Sequence, residues 1–145
     1  FGAGVTLLGV PLTVLLGWLA TADPVFRTEY PWTGPGIGAT PDLLLVWCFM
    51  YAGYYLAYEF FYRGFLQGLL SRGWGPVNAI WLQTVASALI HLGKPFPELL
   101  AAIPAGLLFG VIAWRSRSIL WPFLIHLALG LATDLSSLLR QGAFQ

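Results

Sequence analysis

The chain has 145 residues, of which 58% are hydrophobic, 16% aromatic and only 9% charged, whereas a soluble domain carries about 25% charged residues. The seven basic residues nearly balance the six acidic ones, and the net charge of +1 leaves no basic surface to hold a nucleic-acid backbone. Together with a single cysteine, these values exclude a soluble enzyme, a nucleic-acid binder and a disulfide scaffold, and they predict a polytopic membrane protein in contact with lipid.

Five apolar runs follow one another, at residues 1–20, 43 to about 70, 77–92, about 99–114 and about 119–139. The first run carries no charge and, as a helix, covers about 30 Å, which is the thickness of a bilayer core. No run alternates apolar and polar residues over its length, and lipid admits only helices and closed barrels. We therefore predict an all-α, polytopic transmembrane helical bundle with about five spans, forming a single membrane domain over residues 1–145.

The connecting segments refine this prediction. The segment at residues 21–42 is rich in proline and glycine, which predicts a loop without helix, and Asp42 is expected to cap the helix that follows. Two patterns of small residues four apart, Gly64 with Gly68 and Gly106 with Gly110, predict close approach of helices. Since the chain begins inside an apolar run without an initiator methionine, we expect a membrane domain excised from a longer protein, with further helices upstream.

Loop charges predict the orientation. The segments after the second and fourth runs contain Arg72, Arg115 and Arg117 without an acidic residue, whereas the opposite segments mix basic and acidic residues. Cytoplasmic loops carry an excess of Lys and Arg. The three arginines are therefore predicted to lie on the cytoplasmic side.

Few ionisable residues fall inside the apolar runs: Glu59, Arg63, His91, His126 and Asp134. A charge at mid-bilayer costs about 2.5–3.5 kcal/mol on insertion scales, so such residues usually face one another and usually have a function. Glu59 and Arg63 are four apart and share one helix face, where they form either an active-site pair or a pair that neutralises itself for insertion. Measured along the helices, Glu59, His91 and His126 lie at compatible depths and can face one pocket.

These residue types suit hydrolysis. A carboxylate can act as general base on water, one imidazole can hold that water, and a second imidazole can stabilise an oxyanion. Arg63 can hold the glutamate in one rotamer. Two histidines and one glutamate can also bind zinc with an open coordination position, but HExxH and closely spaced ligand pairs are absent from the sequence, so we expect no cofactor.

With these residues the sequence resembles the CPBP family of intramembrane endopeptidases, also called the CAAX protease/Abi family, and the resemblance covers residues 43–139. The family pattern of two glutamates, three residues, arginine and glycine is similar to YEFFYRGFLQG, where Glu59, Arg63 and Gly64 match. The second motif histidine corresponds to His91 in SALIHLGKPFPE, with Ser87 in the place of a common phenylalanine. The third corresponds to His126 in RSRSILWPFLIHLALG.

Two departures from the family pattern matter. Tyr58 stands where the resemblance implies the water-activating glutamate, and a phenol is a poor base at neutral pH. Three outcomes stay open: Glu59 takes over as base, Glu98 folds back to replace the carboxylate, or the protein is a non-catalytic relative. Gly130 stands in the place of an asparagine that follows the third-motif histidine. Thr133 or Asp134 could supply the lacking polar group, although helix packing for Thr133 and an interfacial position for Asp134 are the favoured interpretations.

The resemblance implies an intramembrane endopeptidase that hydrolyses a peptide bond of a membrane-associated protein or peptide, either a CAAX-type substrate or a bacteriocin or sorting substrate. Its catalytic residues would be Glu59, Arg63, His91, His126 and Glu98, and its location the bacterial cytoplasmic membrane. Two other functions are weighed: a non-catalytic membrane scaffold or immunity protein, and a transporter in which Glu59 and Arg63 relay protons or ions. No inverted repeat supports the transporter.

Overall fold

A computed structural model describes residues 1–143. About 84% of these described residues are helical and none of them forms a strand, which confirms the all-α fold. The α-helices are α1 (Gly2–Ala20), α2 (Pro24–Glu29), α3 (Pro41–Glu59), α4 (Gln67–Leu89), α5 (Phe96–Ser116) and α6 (Leu120–Arg140). A 3-10 turn (Pro35–Gly38) precedes α3, and a π-helical segment (Phe60–Leu66) joins α3 to α4.

By length and composition, four helical stretches of the described chain could each cross a membrane: Gly2–Ala20, Pro41–Leu89, Phe96–Ser116 and Leu120–Arg140. The second has 49 residues and would be roughly 70 Å long as a straight helix, about twice a bilayer core. It is not straight, because Gly75 has φ 76° and ψ 164° and is followed by Pro76. This break separates the second predicted apolar run from the third.

The prediction that residues 21–42 contain no helix is wrong. A short helix, α2, begins at Pro24, and the Asp23 carboxylate accepts a hydrogen bond of 2.9 Å from the Val25 amide. Proline is favoured in the first helical position, where its missing N–H would have no intrahelical partner, and aspartate is a preferred N-cap. The prolines and glycines of this segment therefore limit the length of the helix but do not prevent a short, capped one.

The N-cap predicted for α3 is also displaced. The Thr40 hydroxyl accepts a hydrogen bond of 3.3 Å from the Leu43 amide, while Asp42 lies in the first helical turn. An acidic side chain there still interacts favourably with the positive end of the helix dipole. Asp42 is therefore one residue inside the helix that it was expected to cap.

The chain divides into two compact units. The first consists of Phe1–Thr6 and Leu56–Phe123, and the second of Leu7–Tyr55 and the described residues from Leu124 onward. Four of the candidate catalytic residues belong to the first unit and His126 belongs to the second. That the whole chain acts as one membrane domain stays a prediction.

Within the first unit, two buried glutamines join α4 to α5 at glycines. The Gln83 amide nitrogen donates to the Gly106 carbonyl at 3.0 Å, and the Gln67 amide nitrogen donates to the Gly110 carbonyl at 3.0 Å. A Cβ on Gly106 would lie 2.8 Å from Thr84 Cγ2, so these helices approach too closely for a side chain. Close approach is thus confirmed at Gly106 and Gly110.

The glycine pattern at Gly64 and Gly68 behaves differently. A Cβ at Gly64 would meet only ordinary van der Waals contacts, the nearest at 3.5 Å, and a Cβ at Gly68 would have no neighbour within 4 Å. Both glycines instead line the wall of a pocket. Close packing is therefore wrong as the explanation for this pair.

Within the second unit, hydroxyl side chains bond to backbone carbonyls across the sequence. Ser137 Oγ donates to the Tyr30 carbonyl at 2.6 Å, and Thr13 Oγ1 reaches the Ile125 carbonyl at 3.4 Å. Both hydroxyls are buried. Polar side chains in these apolar helices therefore help to connect one helix or loop to another.

Candidate active site

Glu59 and Arg63 form a buried ion pair where α3 gives way to the π-helical segment. Arg63 Nη1 lies 3.2 Å from Glu59 Oε1, and the two side chains are 2% and 0% exposed. In this segment the backbone N–H of Gln67 donates a hydrogen bond to the Tyr62 carbonyl, five residues earlier. Single π-helical turns occur frequently at functional sites. The predicted pairing of Glu59 with Arg63 is confirmed.

Aromatic rings surround the arginine of this pair. The guanidinium carbon of Arg63 lies 5.4 Å from the ring centre of Tyr58, 5.9 Å from that of Tyr62 and 5.6 Å from that of Phe109. Faces of aromatic rings attract cations at such distances. The positive charge of Arg63 is thus stabilised by three rings as well as by Glu59, and its guanidinium is held in one place.

His91 and Tyr58 meet at one backbone carbonyl. His91 Nδ1 lies 2.9 Å from the Ser87 carbonyl oxygen, and the Tyr58 hydroxyl donates to the same oxygen at 3.3 Å. A carbonyl oxygen only accepts, so Nδ1 must carry the proton. In a neutral ring, Nε2 is then a hydrogen-bond acceptor. The end of α4 therefore presents His91 in the tautomer that can hold one proton of a water molecule.

Glu98 lies in the first turn of α5, after a turn in which the Lys94 amide bonds to the His91 carbonyl at 3.0 Å. Glu98 is half-buried. The tight turn between α4 and α5 therefore separates Glu98 from His91 by only a few residues of non-helical chain. That Glu98 replaces the carboxylate lacking at Tyr58 stays a prediction.

His126 lies on α6 in the second unit, where its ring packs against Tyr55. The ring centres are 4.4 Å apart and the planes are inclined by 54°. One turn further along α6, a Cβ on Gly130 would overlap the Tyr55 hydroxyl and ring. Convergence of His126 with Glu59 and His91 stays a prediction, because the two histidines belong to different compact units.

A pocket of about 540 Å³ within the first unit reaches the ion pair from one side. Arg63, Gln67, Arg115 and Arg117 are among its lining residues, whereas Glu59 is not. Arg63 Nε and Gln67 Oε1 are buried and have no hydrogen-bond partner among the described residues. Buried polar atoms of this kind are commonly satisfied by water. This pocket thus reaches the arginine that pairs with Glu59, whereas the polar cavity expected to reach Glu59 itself stays a prediction.

The family model of the type II CAAX prenyl endopeptidase Rce1-like proteins matches residues 40–132 of this chain. This range is more than half of the chain and contains Glu59, Arg63, His91, Glu98 and His126. The chain belongs to the Rce1-like family. No curated protein and no solved structure matches the chain.

Membership of the Rce1-like family confirms the predicted resemblance to CAAX proteases. The family is one of proteases, and it implies a protein or peptide substrate in the membrane. Together with the four long apolar stretches, it makes this chain an integral membrane protein. The match does not decide what Tyr58 does in place of a glutamate.

The Rce1-like match ends just before Asp134, whose side chain is buried within the protein, and its position near the membrane interface stays a prediction. Asp134 is 1% exposed, and its Oδ2 accepts a hydrogen bond of 2.9 Å from Trp47 Nε1. Buried carboxylates require such donors. The Thr133 hydroxyl donates to the Leu129 carbonyl of its own helix at 2.9 Å, in keeping with the packing interpretation.

Sequence reasoning missed Gln67 and Gln83 in this Rce1-like chain. Both are at most 2% exposed, and the search for ionisable residues in the apolar runs passed over them because an amide carries no charge. The usable signal was their polarity within an apolar run.

Among residues 1–143, no three His, Cys, Asp or Glu side chains cluster closely enough to hold a metal ion.

Proposed function

We propose that this Rce1-like chain is an intramembrane endopeptidase that hydrolyses a peptide bond of a membrane-associated protein or peptide by means of glutamate-activated water. The observation that carries the proposal is the fully buried pair of Glu59 and Arg63 at 3.2 Å. A charged pair is expensive to place in an apolar helix and usually marks a functional site. Hydrolysis is the chemistry of the family to which the chain belongs.

Glu59 acts as the general base in this proposal. Its carboxylate takes a proton from water while the water oxygen attacks the peptide carbonyl carbon, which gives a tetrahedral oxyanion. The oxyanion then collapses, the C–N bond breaks, and the proton passes from Glu59 to the leaving amine. Arg63 binds Oε1 of Glu59 and keeps the carboxylate in one rotamer. General acid–base catalysis of this kind accelerates a reaction by about 10²–10⁴-fold.

His91 holds the water and His126 stabilises the oxyanion. The Ser87 carbonyl keeps the proton of His91 on Nδ1, so that Nε2 can accept a hydrogen bond from the attacking water. An N–H of His126 would donate to the carbonyl oxygen as negative charge develops there. Hydrogen bonds to a developing oxyanion are worth more in a dry site than in water. This step requires His126 to approach Glu59, which the Rce1-like family membership supports.

Glu98 is the second carboxylate of the proposal. Tyr58 cannot supply a carboxylate, and its hydroxyl is engaged with Ser87. Glu98 follows His91 by one turn and the start of α5. If it swings toward the site, it can share the proton transfers with Glu59. The carboxylate at position 59 remains the primary base, because it is already held by Arg63.

The substrate is proposed to be a CAAX-type or a bacteriocin or sorting-type polypeptide, with or without a lipid group, in a bacterial cytoplasmic membrane. The pocket next to Arg63 offers a route by which an extended chain could approach the ion pair. Gly64 and Gly68 line this pocket without a side chain that would project into it. A peptide backbone could therefore approach the helix closely at these two positions.

A second function, a non-catalytic membrane scaffold or immunity protein, is favoured by the Tyr58 hydrogen bond. Its hydroxyl bonds to a backbone carbonyl at 3.3 Å and packs beside Arg63. That arrangement keeps the fold without a second carboxylate. Cleavage of a peptide substrate distinguishes the two functions, because only the peptidase would turn substrate over.

The experiment measures cleavage of quenched fluorescent peptides by the chain reconstituted in lipid vesicles. The substrates are a farnesylated peptide ending in a CAAX sequence and the same peptide without the lipid. Expected results are a loss of at least about 100-fold in kcat for Glu59→Gln and clear losses for His91→Ala, His126→Ala and Glu98→Gln. Asp42→Asn, an exposed carboxylate in the first turn of α3, is the matched control and should retain activity.

Two results would contradict the proposal. Full activity in both Glu59→Gln and Glu98→Gln would exclude a glutamate-dependent mechanism. Absence of cleavage by the wild type, in a preparation that is folded and monodisperse, would favour the scaffold function. Loss in Glu59→Gln with no change in Glu98→Gln would restrict the base to Glu59.

A further inference from the structure

Tyr55 of α3 covers the face of α6 on which His126 lies. The two ring centres are 4.4 Å apart, and Tyr55 is buried. Both residues belong to the second compact unit. The imidazole therefore packs along one side against a rigid aromatic ring.

Gly130 leaves room for the hydroxyl of this tyrosine. A Cβ at Gly130 would overlap the Tyr55 hydroxyl oxygen and two ring carbons, so no larger residue fits there while Tyr55 keeps its place. Residues four apart lie on the same face of a helix. The hydroxyl thus occupies the space beside His126 that a side chain at position 130 would otherwise fill.

The hydroxyl of Tyr55 has a defined partner on its other side. The O–H of Tyr55 donates a hydrogen bond of 3.1 Å to the hydroxyl oxygen of Tyr51. The Tyr51 ring stacks on Trp47 at 4.9 Å, and Trp47 donates to the buried Asp134 carboxylate. A phenol that donates in one direction keeps its lone pairs for accepting in another. Tyr55 can therefore accept a hydrogen bond from an imidazole N–H.

We propose that Tyr55 is the positioning residue of His126: its ring fixes the plane of the imidazole, and its hydroxyl selects which ring nitrogen carries the proton. The role of His126 in catalysis rests on the proposed function. The coupling between Tyr55 and His126 does not, because both side chains belong to the same compact unit. Tyr55 thereby takes the place of the side chain that Gly130 lacks.

The first test reads the imidazole directly. The chain contains two histidines, so ¹⁵N-histidine labelling gives two sets of ring signals, and His91→Ala assigns them. Tyr55→Phe removes only the hydroxyl and should change the Nδ1 and Nε2 shifts of His126, which report its tautomer, while those of His91 stay unchanged. Tyr54→Phe, which removes a hydroxyl from a neighbouring, more exposed tyrosine, is the matched control. Unchanged His126 signals in Tyr55→Phe would overturn the proposal.

The second test uses turnover and rescue. Tyr55→Phe should lower kcat for peptide cleavage about tenfold, the effect of about 1.4 kcal/mol on the barrier, with little change in KM. Tyr55→Ala vacates the space beside His126, and Gly130→Asn in that background returns a polar group to it. Gly130→Leu in the same background returns a side chain of similar size without polarity. Asn should restore more activity than Leu.

The outcomes separate this proposal from the proposed function. Equal rescue by Asn and Leu would reduce Tyr55 to packing and overturn the positioning role. A wild type without activity contradicts the peptidase but leaves the histidine signals to decide on Tyr55. If Tyr55→Ala does not fold, Tyr55→Phe still decides, because it preserves the ring.

Discussion

The pair formed by Glu59 and Arg63 should show strong energetic coupling. Arg63 Nη1 and Glu59 Oε1 are 3.2 Å apart, and both side chains are almost completely buried. At an effective dielectric constant of about 20, unit charges at that distance attract each other by about 5 kcal/mol. A charge left unpaired in a single variant can be neutralised or rehydrated, which lowers the measured coupling, and we therefore expect a coupling energy of about 3 kcal/mol.

A double-mutant cycle measures this energy. Glu59→Gln and Arg63→Met each leave the other charge buried, so each should lower the free energy of unfolding by about 3–5 kcal/mol. The double variant should lose about 3 kcal/mol less than the sum of the two. The free energy would be measured by reversible unfolding in bicelles, with Asp42→Asn as the control, for which a loss of at most about 1 kcal/mol is expected because only its interaction with the helix dipole is removed. Additive losses within about 0.5 kcal/mol would refute the ion pair as a coupled unit.

Four further predictions concern packing and topology. Gly106→Ala should lower stability by about 1–3 kcal/mol, because its Cβ would lie 2.8 Å from Thr84 Cγ2. Thr84→Ser in the same chain should recover part of the loss. Gly68→Ala should cause no loss, because its Cβ would have no neighbour within 4 Å. Gly75→Ala should lower stability by about 1–3 kcal/mol since φ is 76° there, whereas Gly73→Ala should not, and equal effects would contradict the strained turn. Trp47→Phe should lower stability by about 1–3 kcal/mol, because it removes one hydrogen-bond donor from the buried Asp134 carboxylate. A thermal unfolding midpoint equal to that of the wild type would argue against this. In a Cys48→Ala background, a membrane-impermeant thiol reagent should label Arg117→Cys from the cytoplasmic side and Lys94→Cys from the opposite side, and labelling of both from one side would exclude the predicted orientation.

The helices could be predicted because lipid leaves few alternatives. The uncharged run that became α1 and the arginines that close α5 mark their spans by composition alone. Local ends were harder, since one hydroxyl decided between Thr40 and Asp42 as N-cap. The break at Gly75 falls between the second and third predicted apolar runs. Its positive φ depends on the backbone and cannot be read from the sequence.

The contacts of the candidate site were predictable where both residues lie on one helix, because their spacing decides whether they share a face. Glu59 and Arg63 are four apart, and they pair as expected. Contacts between helices were not predictable in the same way. Hydropathy gives depth without direction, so the sequence did not show that α6 turns Asp134 toward the indole of Trp47. The sequence likewise showed a glycine at position 130 but not the tyrosine ring that covers it.

The two departures from the family pattern share a physical feature. In the first unit, the Tyr58 hydroxyl bonds to the same carbonyl that orients His91. In the second unit, Tyr55 fills the space beside His126 that Gly130 leaves open. Packing and hydrogen bonding thus accommodate a phenol beside each histidine, as a stable fold requires whether or not the site turns over. Turnover decides between the two proposed functions, and in the peptidase the tautomers of His91 and His126 are the quantities through which the two tyrosines would act.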